Sequence, residues 1–228
     1  MTARMVDEAM TALPASRAYQ AFLFDMDGTL ITSTLAAERV WTRWAERHGL
    51  DVDAFVPTIH GVRAIDTIRR QKLPHIDLDA EVAWVERGEI EDVDGVAPIP
   101  GAVDFVKRLP PDRWAVVTSA SVPLARARLK AAGVTPPAVM ITAEDVERGK
   151  PDPAGYLKAA ATLGFDIGDC LVFEDAEAGI KAGEAAGADV LVVTAAWTHP
   201  LETDHPTLAD YADASLEVRS DGRLVLTL

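Results

Sequence analysis

The chain has 228 residues, of which 49% are hydrophobic and 25% are charged, a size and composition that predict one full core and a smaller subdomain. Its 22 basic and 36 acidic residues give a net charge of -14, and such a field repels nucleic acids and anionic membrane surfaces, so neither is expected as a partner. The single cysteine, Cys170, excludes an internal disulfide, and we expect a cytoplasmic protein that is a monomer or a weak homodimer.

Residues 1–20 form the first segment, which contains acidic side chains and no continuous apolar stretch. These properties distinguish it from a secretory signal sequence. We expect it to be a frayed or loosely docked extension. No segment of the chain approaches the ~18 to 20 uninterrupted apolar residues of a membrane-spanning helix. The sequence therefore predicts a soluble protein.

An apolar run at residues 21–26 predicts the first buried strand. The next run of this kind begins only at residue 113, so the interval is too long for a single crossover connection. Between residues 34 and 97, apolar side chains recur with helical spacing, and either Ser33 or Thr34 is a candidate N-cap for the first helix. We predict an all-helical cap over residues 34–97. Its helical stretches are 35–50, 63–73 and 79–96.

The rest of the chain alternates strands with helices. The predicted strands are 113–118, 138–142, 170–174 and 189–194, and the predicted helices are 123–133, 153–164 and 176–188. This alternation predicts an α/β fold with a doubly wound parallel sheet, a Rossmann-like core made of residues 21–33 and 98–228. In residues 216–228, apolar side chains alternate with others on either side of Ser-Asp-Gly, and this pattern predicts a closing hairpin. Ligands of such sheets bind at the carboxyl ends of the strands.

Reactive side chains follow four of the predicted strands. Asp25 and Asp27 close the first strand, and their spacing of two directs both carboxylates to one side. Gly28 allows a tight turn there. The later strands end in hydroxyls, a lysine and a pair of acids. These residues are Thr118 and Ser119, then Lys150, then Glu174 and Asp175.

Each group also has an ordinary structural interpretation. Thr118 can be a simple helix cap, Lys150 a solvated surface residue, and the acidic pair a cap of the following helix. The conjunction of all four in order at one edge of the sheet favours a functional site.

The charges of this set indicate phosphoryl chemistry. Asp25, together with Glu174 or Asp175, makes a hard oxygen site suited to Mg²⁺. A carboxylate such as Asp25 can attack a phosphoryl group in line, while Asp27 manages the proton of the leaving alcohol and later that of the hydrolytic water. Lys150 supplies the local positive charge that an anionic substrate needs in an acidic protein.

The motifs DMDGTL, VVTS, RGKPDP and VFEDAEAG resemble, in this order, the four motifs of the haloacid dehalogenase superfamily of phosphohydrolases. By position, the resemblance implies that Asp25 is the nucleophile and that Asp27 is the general acid/base, whose backbone carbonyl also binds Mg²⁺. It implies phosphate binding by Thr118 or Ser119 together with Lys150. It further implies that Asp175 is a metal ligand and that Glu174 contributes directly or through water.

The helical insertion resembles the small cap of the branch with bacterial sugar phosphatases, glycerol-phosphate and deoxyglucose-phosphate phosphatases, and β-phosphoglucomutase. Within it, HGVRAIDTIRR is similar to the substrate loop of the sugar and polyol phosphatases. This similarity implies that His60 and Arg63 contact the organic part of a small phosphorylated metabolite. A histidine before glycine is also common as a capping residue at a junction between helices.

Three other functions fit the sequence less well. Hydrolytic dehalogenation in the same superfamily needs no second aspartate, so Asp27 argues against it. A sugar phosphomutase of the β-phosphoglucomutase type uses a histidine in the first cap helix, where this chain has Ala37. A non-catalytic sensor of phosphorylated metabolites would have lost a nucleophile or a metal acid, and none is lost. The sequence therefore predicts an Mg²⁺-dependent phosphatase of sugar or polyol phosphates that forms an aspartyl phosphate, with the mutase as the alternative.

Overall fold

The computed structural model describes residues 17–197 and 203–228. The strands in these two ranges are β1 (Ala18–Tyr19), β2 (Ala21–Phe24), β3 (Ile31–Thr32), β4 (Ala97–Pro98), β5 (Trp114–Val117), β6 (Val139–Ile141), β7 (Cys170–Glu174), β8 (Asp189–Val193), β9 (Thr207–Leu208), β10 (Ser215–Val218) and β11 (Leu224–Thr227). The α-helices are α1 (Thr34–Arg47), α2 (Val52–Phe55), α3 (Ala64–Arg70), α4 (Leu78–Glu91), α5 (Ala102–Lys107), α6 (Val122–Ala131), α7 (Ala154–Leu163) and α8 (Glu177–Ala186). In these ranges no helix has the length and apolar character needed to cross a membrane.

The main sheet has six strands in the order β6-β5-β2-β7-β8-β9, and every neighbouring pair is parallel. Helices α6, α7 and α8 connect successive strands from β5 to β8. The predicted doubly wound parallel sheet is thus confirmed. The short β9 was not predicted, because two residues are too few to show a periodic pattern.

Both faces of the sheet are covered, which explains why its strands are almost continuously apolar. Phe22 and Phe24 lie in a cluster with residues of α5 and α6, whereas Leu23, between them, lies in a second cluster with residues of α7 and α8. The ring of Phe24 stacks on that of Phe173 of β7, with 4.3 Å between the ring centroids. Buried packing on both faces therefore fixes the carboxyl ends of β2 and β7 next to each other.

Residues 34–91, here called the helical insert, contain α1 to α4 and have a hydrophobic cluster of their own. Trp41 and Trp44 pack in this cluster, and Trp44 Nε1 donates a hydrogen bond of 2.9 Å to Glu81. The segments that enter and leave the insert run side by side, because β3 pairs antiparallel with β4. The two chain connections of the insert therefore lie next to each other, while its extent as a domain over residues 34–97 stays a prediction.

Strands β1, β11 and β10 form a second, antiparallel sheet, and β10 with β11 confirms the predicted closing hairpin. Of the predicted N-terminal extension, residues 1–16 lie outside the described part of the chain. Its last residues are not frayed: Tyr19 is buried, pairs with Leu224 and donates a hydrogen bond of 2.7 Å to Asp189. The expectation of loose docking is wrong for residues 17–20, because an aromatic ring buried against the core stabilises this short strand.

Candidate active site

The carboxyl ends of β2 and β7 bring three carboxylates together. Asp25 directly follows β2, Glu174 ends β7 and Asp175 follows it. One carboxylate oxygen from each residue lies within 4.8 Å of the others. Lys150 lies in the loop between β6 and α7, and its Nζ donates hydrogen bonds to Asp25 and, at 2.5 Å, to Glu174. The structure thus places these four predicted residues in one cluster, although their roles stay predictions.

The cluster has an excess of negative charge. Burial raises the pKa of Asp25 to about 8; Lys150 opposes this rise, and the charges of Glu174 and Asp27 reinforce it. Burial and the neighbouring carboxylates likewise raise the pKa of Asp175 well above its usual range. Burial alone would lower the pKa of Lys150, but the two carboxylates that it contacts raise it. One lysine therefore does not neutralise three acids, and this set of hard oxygen donors fits a divalent cation.

Glu174 is held rigidly by its neighbours. Its Oε1 accepts hydrogen bonds from Lys150 and, at 2.5 Å, from the hydroxyl of Tyr156, and its Oε2 accepts from the backbone N–H of Asp175. A Cβ atom at Gly179 would overlap this carboxylate, so glycine is needed there. Tyr156 was missed by the sequence analysis, because a tyrosine among apolar residues of a helix gives no sign of where its hydroxyl points.

Gly28 has a similar function beside Asp175. Its φ of +87° lies in the left-handed region that favours glycine, and a Cβ atom here would overlap the Asp175 carboxylate. Thr29 Oγ1 lies 3.4 Å from Asp175 Oδ1. The glycine after the two aspartates thus provides both the turn and the space for the carboxylate that arrives from β7.

Asp27 has different partners from Asp25. Its Oδ1 accepts hydrogen bonds from Ser33 Oγ at 2.5 Å and from Arg128 Nη1 at 3.0 Å. Ser33 occupies the N-cap position of α1, yet its side chain makes no capping hydrogen bond. Of the two N-cap candidates, Ser33 therefore holds the position, and its hydroxyl donates to the charged carboxylate of Asp27.

The two hydroxyl residues after β5 are oriented differently. Thr118 Oγ1 accepts a hydrogen bond of 3.1 Å from the backbone N–H of Ala120, whereas Ser119 Oγ donates one of 3.0 Å to the carbonyl of Gly61 in the helical insert. The alternative that Thr118 caps the next helix is wrong. Ser121 is the N-cap of α6, because it directly precedes the first helical residue and its side chain accepts a hydrogen bond from the backbone N–H of Leu124. Phosphate binding by Thr118 and Ser119 stays a prediction.

His60 and Arg63 lie in the loop before α3, over the cluster. The ring of His60 is partly exposed, with Nε2 at 3.5 Å from Glu38. The guanidinium of Arg63 contacts Asp66 at 2.7 Å and donates to the backbone carbonyls of Val146 and Glu147 in the core. In this conformation Arg63 therefore ties the insert to the core, and substrate contact by either residue stays a prediction.

A cavity of about 170 Å³ lies between the carboxyl ends of the strands and the helical insert. The insert contributes an apolar part of its lining, which includes Ala37, Trp41, Ile59, Ile65 and Val82. The polar part includes Asp25, Asp27, Asp175, Ser119, His60, Glu86, Glu89, Ser121 and Arg128. A space of this kind, with carboxylates at one end and mixed surfaces elsewhere, suits a small polar ligand.

Two residues of this lining, Arg128 and Glu89, were missed by the sequence analysis. A signal existed for Arg128, since it occupies the face of α6 that buries Leu124, Ala125 and Leu129. An arginine on a buried face requires a buried anionic partner. Glu89 similarly follows the buried Val85 by one turn of α4. Their contact could not be read from the sequence, because it depends on how the insert docks on the core.

Comparison with known proteins gives concordant results. A family model described as haloacid dehalogenase-like hydrolase matches residues 19–187. Hexitol phosphatase A of Escherichia coli is 42% identical over 202 residues, which cover 87% of this chain and 92% of that protein. The 2-deoxyglucose-6-phosphate phosphatase 1 of Saccharomyces cerevisiae is 36% identical, over 77% of this chain and 80% of that protein. The crystal structure of CbbY from Rhodobacter sphaeroides in complex with phosphate has the same fold, with a TM-score of 0.72 at 20% identity over 86% of this chain and 96% of CbbY.

Proposed function

The chain belongs to the haloacid dehalogenase-like hydrolases, the family that its four motifs resemble, and we propose that it hydrolyses small phosphate monoesters of sugars or polyols. The observation that carries this proposal is the cluster of Asp25, Asp175 and Lys150 at the end of the parallel sheet, in which Asp25 and Asp175 line the cavity. The names of the relatives, hexitol phosphatase A and 2-deoxyglucose-6-phosphate phosphatase 1, support the choice of substrate class.

In the first step, the Asp25 carboxylate attacks phosphorus. A bond forms between its oxygen and phosphorus while the bond from phosphorus to the sugar or polyol oxygen breaks. Lys150, which contacts Asp25 directly, holds the attacking carboxylate and stabilises negative charge on the transferring group. Asp27 donates a proton to the departing oxygen, which leaves as a neutral alcohol.

In the second step, Asp27 is a carboxylate and takes a proton from the attacking water. The water oxygen bonds to phosphorus, and the bond from phosphorus to Asp25 breaks, so the nucleophile is regenerated. The helical insert covers the cavity and limits access of bulk water and large substrates. The two aspartates can have different roles because they have different partners: Asp25 contacts Lys150, whereas Asp27 contacts Ser33 and Arg128.

The metal that fits this site is Mg²⁺, with Asp25, Asp175 and the backbone carbonyl of Asp27 as its proposed ligands and Glu174 as a further donor. When bound, the ion would neutralise carboxylates and phosphoryl oxygens and so allow one anion to approach another. Asp175 is the best residue for a test, because it has no proposed role other than metal binding.

Removal of divalent ions with EDTA is expected to lower phosphate release at least ~100-fold, since a bound ion contributes several kcal/mol to such reactions. Added Mg²⁺ should restore the activity, and Asp175→Asn should raise the Mg²⁺ concentration needed for half of the maximal rate. Asp104→Asn, at an exposed position of α5, is the matched control. Full activity in EDTA would contradict the proposed metal dependence.

His60 and Arg63 are expected to respond differently to substitution. His60→Ala should raise KM for a hexitol phosphate several-fold more than for an aryl phosphate, because its ring borders the cavity and would contact the hydroxyl groups. Arg63→Ala should raise both KM values by similar factors, because its guanidinium ties the insert to the core. Arg69→Ala, which removes another partner of Asp66, is the control. Equal responses to both substrates in the His60 variant would refute its role in substrate binding.

The proposed substrate class is tested by measuring kcat/KM for hexose, hexitol, pentose and glycerol phosphates and for phosphoglycolate. A preference of at least ~10-fold for one sugar or polyol phosphate over phosphoglycolate is expected, because carboxylates in the cavity repel a second anionic group. A preference for phosphoglycolate would refute the class. The alternative, a sugar phosphomutase, would convert a hexose phosphate to its isomer. We favour the phosphatase, because α1 presents Ala37 to the cavity at the position where the mutase is expected to have a histidine.

A further inference from the structure

Arg128 and Lys150 are the two buried cationic side chains among the described residues, and the proposed chemistry does not yet use Arg128. It lies on α6 with 5% of its surface exposed, while Arg126 of the same helix is exposed. A buried guanidinium is stable only when anionic partners satisfy it. Arg128 has two such partners, Asp27 at 3.0 Å and Glu89 at 3.0 Å.

The contact with Asp27 is selective for one oxygen. Ser33 and Arg128 both donate to Oδ1 of Asp27. Oδ2 accepts no hydrogen bond from the residues in the described ranges 17–197 and 203–228. Two donors on one oxygen fix the rotation of the carboxylate and leave the other oxygen available for a proton. This is the arrangement that a general acid/base requires.

The contact with Glu89 links the same guanidinium to the helical insert. Glu89 lies on α4 and is itself buried, with 6% of its surface exposed. Asp27 and Arg128 belong to the core, so Arg128 joins the core to the insert through one hydrogen bond on each side. If α4 moved away, Arg128 would lose one of its two anionic partners, and its hold on Asp27 would loosen.

On the basis of the proposed function, we propose that Arg128 is the positioning residue for Asp27 and that Glu89 aligns Arg128 from the helical insert. Asp27 then has the orientation for proton transfer only while α4 lies over the site. In this role Arg128 acts through Asp27 and not on the reacting phosphorus or the leaving oxygen.

The test compares aryl phosphates that differ in their need for proton donation and carry no sugar hydroxyls. Phenyl phosphate has a poor leaving group that needs a proton, whereas 4-nitrophenyl phosphate has a good one that needs little help. Arg128→Gln is expected to lower kcat/KM for phenyl phosphate at least ~10-fold more than for 4-nitrophenyl phosphate. Arg126→Gln, on the exposed side of α6, should change neither value.

A double-mutant cycle tests whether Arg128 acts through Asp27. In an Asp27→Asn background, Arg128→Gln should change kcat/KM for phenyl phosphate by less than ~2-fold, since a positioning residue has no effect once its target is lost. Glu89→Gln keeps the size of the side chain and an acceptor, so it should fold normally. Like Arg128→Gln, it should lower kcat/KM more for phenyl phosphate than for 4-nitrophenyl phosphate, but by a smaller factor.

Equal losses for both aryl phosphates in Arg128→Gln and Glu89→Gln, or additive losses in the Asp27→Asn background, would overturn the positioning role. If Arg128→Gln does not fold, as judged by circular dichroism, the leaving-group dependence of Glu89→Gln decides. Failure of the proposed function is distinguishable, because the unmodified protein would then release no phosphate from either ester. If only the positioning role of Arg128 is refuted, the unmodified protein still releases phosphate from these esters.

Discussion

Replacing Asp25 by asparagine is expected to reduce phosphate release from a hexitol phosphate by at least about 1,000-fold, because the amide cannot accept the phosphoryl group. Glu174, the other carboxylate in contact with Lys150, cannot replace it, because it is buried and does not line the cavity. The substitution is nearly isosteric, and Lys150 keeps its hydrogen bond to Glu174. The protein should therefore remain folded. The rate constant kcat, measured at saturating Mg²⁺ and substrate, gives the direct readout.

The Asp25 substitution also removes a proposed metal ligand, so a control must separate the two effects. Asp175→Asn provides it, because this variant loses a ligand but keeps the nucleophile. High Mg²⁺ should recover much of the activity of Asp175→Asn and almost none of that of Asp25→Asn. If Asp25→Asn kept a tenth or more of the original activity, Asp25 would not be the nucleophile.

Replacing Asp27 by asparagine is expected to lower kcat by more than ~100-fold with sugar or polyol phosphates, which is the usual contribution of a positioned general acid/base. An amide can accept the hydrogen bonds of Ser33 and Arg128 through its oxygen, so the orientation of the side chain is retained while its proton chemistry is lost. The loss in kcat/KM should be much smaller for 4-nitrophenyl phosphate, because its leaving group needs little proton donation.

The matched control for Asp27 is Ser33→Ala, which removes one of the two donors but leaves the carboxylate and Arg128. Its expected effect is modest, roughly 10-fold, below most of the range of about 1.5–3 kcal/mol for a hydrogen bond to a charged group, because Arg128 keeps part of the orientation. Full activity of Asp27→Asn with a hexitol phosphate would remove Asp27 from the mechanism.

The sequence was sufficient to predict the sheet and the edge at which the reactive residues meet. Near-continuous apolar runs identified the parallel strands, and the residues after them had to converge, because parallel strands end at one edge. The same pattern predicts that Asp25, Lys150, Glu174 and Asp175 lie close together. The family resemblance then followed from the order of the same motifs, and the match over residues 19–187 confirms it.

The contacts between the core and the helical insert were not predictable in this way. Helical periodicity shows which face of α4 or α6 is buried, but it does not show which other helix covers that face. The contact of Arg128 with Glu89 spans 39 positions in the chain and depends on that docking. Ser33 illustrates the same limit locally, since its position at the N-cap was anticipated while its actual acceptor, Asp27, was not.

The short pairing at the N-terminus shows a third limit. Residues 17–20 were interpreted as part of a loose extension because two strand residues carry no pattern, yet Tyr19 is buried and pairs with β11. Its partner strand lies about 200 positions later in the chain, near residue 224. Local sequence gives little information about such long-range pairing.

The central claim, that Asp25 forms a covalent phosphoryl ester during turnover, is tested most directly by an acid quench. The protein is mixed with Mg²⁺ and a hexitol phosphate, quenched in acid within milliseconds and analysed by peptide mass spectrometry. The account predicts a gain of one phosphoryl group on the peptide that contains Asp25, and no such gain in the Asp25→Asn variant. A phosphoryl group on another residue, or phosphate release from the unmodified protein with no phosphorylated peptide at any quench time, would contradict it.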